Sequence, residues 1–103
     1  MYQLPKLDQL LSVEDFEPWL GAVFTLDADP DPVSIQLIKI APRMTTSLSH
    51  RKVAFSLIFR SQPDVMLLDG IYAMTSGRFG PVNVHITPVM SPPGERHYEA
   101  VFT

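Results

Sequence analysis

Val53-Ala54-Phe55-Ser56-Leu57-Ile58-Phe59-Arg60 decides how this chain folds. Val53, Phe55, Leu57 and Phe59 occupy alternate positions, so an extended backbone sets all four on one face. The run is rich in β-branched and aromatic residues, and neither Gly nor Pro interrupts it. Its period is that of a strand. Five further runs of the same kind lie around it: Ala22 to Asp27, Val33 to Ile40, Ile71 to Thr75, Val82 to Val89 and His97 to Phe102. In the first, Ala22, Phe24 and Leu26 alternate with Val23 and Thr25. In the second, Val33, Ile35 and Leu37 share one phase, then Ile38 and Ile40 shift it. That shift predicts either a bulge or a strand buried on both faces.

Proline marks the boundaries. There are 10 in 103 residues, and they gather between the strand runs, at Pro30 and Pro32, Pro42, Pro63, and Pro92-Pro93. A residue with fixed φ and no N–H suits turns and strand ends. Residues 27–32, 76–81 and 91–95 read as hairpin connections, and short connections imply antiparallel neighbours. Two longer loops span 41–52 and 61–69. The first 20 residues read differently. Pro5 suits the start of a short helix carrying Leu4, Leu7 and Leu11, and Ser12-Val13-Glu14-Asp15 resembles a helix cap that Pro18 soon ends. Val13, Phe16, Trp19 and Leu20 then need an apolar surface to cover. The expected fold is mainly β: a six-stranded antiparallel barrel or strongly curled sheet, with a two-layer sandwich as the alternative. It forms one domain over 1–103, with short helical turns in 1–20 and an antiparallel meander over 21–103.

Composition narrows the function classes. Hydrophobic residues make up 46% and charged residues 18%, enough apolar material for a core. The net charge of -3 argues against a general polyanion binder, whose affinity comes from Lys and Arg on phosphates. The absence of Cys excludes disulfides, thiol catalysis and thiolate metal sites. No apolar run reaches the length of a signal peptide or a membrane span, so the expected address is the cytoplasm. The chain reads as a whole small protein.

No catalytic signature stands out. Asp27, Asp29 and Asp31 alternate like the start of a calcium loop, but Pro32 and Ile38 fall where its Gly and bidentate Glu belong. His50, His85 and His97 show no metal-ligand spacing. His85 alternates with Asn83 and Thr87 on a polar face. A ligand or catalytic site built from His85, His97 and Glu99 requires strands five and six to bring them together. A basic stretch holding Arg43, Arg51 and Lys52 offers a nucleic-acid patch, though no aromatics interleave with it, and nucleic acid is not the expected partner. The strongest pointer is Val65-Met66-Leu67-Leu68, four apolar residues in a loop between two Asp. They either fold back on the core or form a partner surface, which Tyr72 and Phe79 would extend. The reading is a non-enzymatic interaction module with a protein partner, a homodimer through an edge strand being one form. No cofactor and no metal is expected.

The blocks Phe16-Glu17-Pro18-Trp19-Leu20-Gly21, Phe55-Ser56-Leu57-Ile58-Phe59-Arg60, Gly70-Ile71-Tyr72 and Tyr98-Glu99-Ala100-Val101-Phe102 carry a resemblance. Together they resemble a family of small bacterial proteins of about this length, known only as a domain of unknown function. The resemblance spans nearly the whole chain and implies a standalone, all-β protein with no assigned activity and no catalytic residues. It also implies company with proteins similar to phage tail fibres or collars, hence an assembly role.

Overall fold

A computed structural model describes residues 13–42, 55–77 and 79–102. Its strands are β1 (Val23–Leu26), β2 (Val33–Pro42), β3 (Phe55–Ser61), β4 (Gly70–Ser76), β5 (Phe79–Val89) and β6 (Arg96–Phe102). All pair antiparallel and close into a barrel in the order β1-β2-β3-β6-β5-β4. The sandwich alternative is thereby excluded. The meander over 21–103 needs correction, because β3 is not followed by its neighbour. Residues 62–69 instead carry the chain across one end of the barrel to β4, which pairs with β1 and β5. The fold is two three-stranded meanders joined along β3–β6 and β1–β4.

The deciding stretch lies, from Phe55 on, at the centre of this arrangement; Val53 and Ala54 lie outside the described residues. Phe55, Leu57 and Phe59 are at most 1% exposed, and β3 pairs with β2 on one side and with β6 along its full length on the other. Inward residues of every strand meet there: Phe24, Leu26, Ile35, Leu37, Met74, Val84, Ile86, Tyr98 and Ala100. Burying such side chains stabilises a fold by roughly 1.5–3 kcal/mol each. The phase shift in β2 is a bulge. Leu37 faces Phe59 and Lys39 faces Ile58, so Ile38 is the extra residue, and Ile40 regains the inward phase.

A second irregularity explains why β5 starts at Phe79 and not at Val82. Gly80 adopts φ +88° beside the register shift of β4, and a Cβ there would run into the carbonyl oxygen of Met74. Only glycine permits the close backbone approach, and through it the strand reaches back nearly to the turn.

The two ends of the barrel differ. At one end lies α1 (Val13–Phe16), continued by a 3₁₀ turn over Glu17–Trp19. The first helical turn expected in the N-terminal segment, and the Ser12 cap, lie outside the described residues. Phe16 is fully buried, with its ring 5.9 Å from Phe55, 5.5 Å from Phe79 and 5.3 Å from Phe102. Trp19 adds contacts with Phe24 and Phe79. This aromatic plug closes that end. The other end collects the connections 27–32, 62–69 and 90–95.

Candidate functional site

Among the described residues, the loops that carry polar and ionisable side chains gather at the end opposite the plug. Segment 62–69 crosses it and is tied at both sides. Arg96 Nε donates to the carbonyl of Pro63 at 2.8 Å, and the Tyr72 hydroxyl donates to the carbonyl of Leu68 at 2.6 Å. Extended backbone alternates its side chains, and the apolar run divides accordingly. Leu67 is 4% exposed and Val65 packs partly on the core, whereas Met66 and Leu68 point outward at 68% and 70%. Ile71, on the outer face of β4, is 73% exposed. Met66, Leu67, Leu68 and Ile71, with Asp27, Ala28, Asp29, Val33 and the half-buried Tyr72, border a cleft of about 480 Å³.

Of the six residues expected on a partner surface, Met66, Leu68 and Tyr72 are brought together, and Leu67 forms the floor with Val65 behind it. Phe79 is a correction. It opens β5 and packs on Phe16, Trp19 and Phe24 in the plug, far along the barrel from the cleft. Sequence reasoning missed Ile71, which read simply as a strand residue. The signal for it was its phase opposite the buried Met74.

His85 and His97 are not brought together. His85 stands opposite Ile71, and His97 opposite Val89 at the far end of β5. Each has its own carboxylate: His85 Nε2 lies 2.7 Å from Asp69 Oδ1, and His97 Nε2 lies 2.6 Å from Glu95 Oε1. Asp69 also accepts from the Thr87 hydroxyl at 3.2 Å. The His85 hydrogen bond holds the Asp69 carboxyl below its ordinary value. Slight desolvation acts the other way, while the charge of the imidazole and Thr87 add to the lowering.

His97 belongs instead to a polar row across the outer face. Gln36, Arg60 and His97 are in register on β2, β3 and β6. Arg60 donates to Gln36 Oε1 and pairs with Glu95 at 3.9 Å. Gln36 in turn donates to the carbonyl of Gly21 at 3.0 Å. Glu99 lies one row along, opposite Ile58 and Thr87. A cleft of about 340 Å³ includes His97 but neither His85 nor Glu99. In it, Ser91 Oγ accepts from the His97 main-chain N–H and donates to the carbonyl of Val89. Those bonds order the turn, and the hydroxyl is not hydrogen-bonded to the imidazole as a nucleophile would be to its base. Among the described residues no group of three or more His, Asp or Glu is placed to hold a metal. Arg43, Arg51 and Lys52 lie outside the described residues. No described helix is long and apolar enough to cross a membrane.

The fold and site define a closed six-stranded antiparallel barrel, plugged by aromatics at one end and presenting at the other a cleft that exposed apolar side chains share with Asp27 and Asp29. A family model matches residues 11–102, and the chain belongs to that family, a domain of unknown function (DUF6916). No curated protein and no solved structure matches the chain.

Proposed function

We propose that this domain is a non-enzymatic protein-interaction module, acting in the cytoplasm, that receives its partner at the end of the barrel crossed by residues 62–69. The observation that carries this reading is the grouping of Met66, Leu68 and Ile71, each more than two-thirds exposed, around one cleft. Large apolar side chains clustered in the open are what docking surfaces present, and here Arg96 and Tyr72 hold them in place. The assembly role implied by the family resemblance is the setting in which such a module would act.

The test is capture of partners from native lysate by tagged protein, compared with Met66→Asp/Leu68→Asp and with Leu20→Asp as an exposed control away from the cleft. Both variants should keep the far-UV spectrum of the parent. The cleft variant should lose its specific partner by at least about tenfold, as removal of hot-spot residues does. Equal capture by all three proteins would remove the reading. Leu67 is unsuitable for this purpose, because its burial means that an Asp there would unfold the barrel.

A further inference from the structure

The cleft lies where the barrel closes least completely. β1 is four residues long and pairs with β4 only at Thr25 and Leu26, followed by one bond from the Asp27 N–H to the carbonyl of Ala73 at 2.9 Å. The chain then turns away at Asp27. β4 extends further, with Gly70, Ile71 and Tyr72 still paired to β5 on their other side. Main-chain groups of alternate residues point the same way along a strand, so Ile71 directs its N–H and C=O to the edge on which Ala73 meets Asp27. Among the described residues that edge has no strand partner alongside residues 70–72, and it adjoins the cleft. An uncovered strand edge is a template for another strand.

Charge selects the occupant. Asp27 and Asp29 line the cleft, and Asp31 follows them on the exposed turn. The described cations stand elsewhere: Arg60 with Gln36 and Glu95, Arg96 on Pro63, and Lys39 beside Ile58. A second copy of this chain paired symmetrically here would bring its own acids against these, which disfavours a dimer.

We infer that the Ile71 edge takes an extended cationic peptide segment, adding a strand to the barrel with Lys or Arg side chains toward Asp27 and Asp29 and apolar ones toward Met66 and Leu68. This rests on the interaction reading above.

The probes are two blocked pentapeptides, acetyl-Lys-Val-Lys-Val-Lys-amide and its Glu counterpart, titrated into the ¹⁵N-labelled protein and followed by amide shifts. The Lys peptide should shift the amides of Ile71, Asp27 and Leu68 and bind at least about tenfold more tightly than the Glu peptide. N-methylation of its central residues should abolish binding, and Asp27→Asn/Asp29→Asn should weaken it severalfold. Equal affinity for the two charge forms, shifts confined to other surfaces, or no binding at millimolar peptide would overturn the inference. So would a concentration-dependent dimer that Leu68→Asp dissolves. If capture depends on Met66 and Leu68 while the Lys peptide fails, the interaction reading stands and the peptide class falls. If capture is indifferent to both residues, both fall.

Discussion

Asp69 is exposed, yet its carboxyl is held below its ordinary value, because His85 and Thr87 on the neighbouring strand both donate to it. A carboxylate whose folded pKa is depressed contributes stability that is complete above its unfolded value. The contribution fades as the pH falls through the folded one. Carboxyl ¹³C titration should therefore place Asp69 below 3.8, and His85→Ala should move it back toward that value. The stability lost in His85→Ala should be present above about that pH, fade as the pH falls below it, and be small, since the pair is solvent-screened. The outward phase of His85 was legible from its alternation with Asn83 and Thr87. Its partner was not, because the pairing depends on the β4–β5 register, which no local pattern states. His97 differs: its carboxylate, Glu95, lies two residues away in the sequence, and only the link from Glu95 to Arg60 on β3 depends on register.

At the scale of elements, the phase shift in β2 was readable as a bulge because one extra residue flips every later side chain, and Ile38 and Ile40 recorded the flip. The start of β5 was not readable. Gly77 to Pro81 has the composition of a turn, and only the positive φ of Gly80 against Met74 makes it strand. The plug formed by α1 and the turn after it was half legible. Phe16 and Trp19 clearly needed cover, but the rings they meet come from β1, β3, β5 and β6. Phe16→Ala should cost about 3–5 kcal/mol in urea unfolding, the range for deleting a fully buried aromatic, while Leu20→Ala, at 55% exposure, should stay within about 0.5 kcal/mol of the parent. Similar losses at both positions would mean that the plug is not what closes that end.

At the scale of the molecule, strand count and antiparallel pairing followed from period and loop length, but strand order did not. A connection of eight residues is long enough either to close a hairpin or to cross the barrel end, and the choice between them is made by the core that Leu67 joins. The order leaves two unequal seams. β3 and β6 pair at seven consecutive positions, Phe55–Phe102 to Ser61–Arg96, whereas β1 and β4 pair at two. Local openings follow the weaker pairing. Amide hydrogen exchange should accordingly run fastest, among the strands, for Asp27 and the outward-directed amides of β4, and slowest along β3. Uniform protection around the barrel would contradict the unequal seams.

Those two seams make the barrel a bound volume, with β3–β6 as its spine and β1–β4 as its fore-edge. Segment 62–69, the ribbon between the two halves, lies across the same end at which the fore-edge parts. A strand laid against Ile71 would lengthen the fore-edge without prising it open. Occupancy would then act as a clasp, and the bound form would be stiffer than the free one at the place where the free one is loosest.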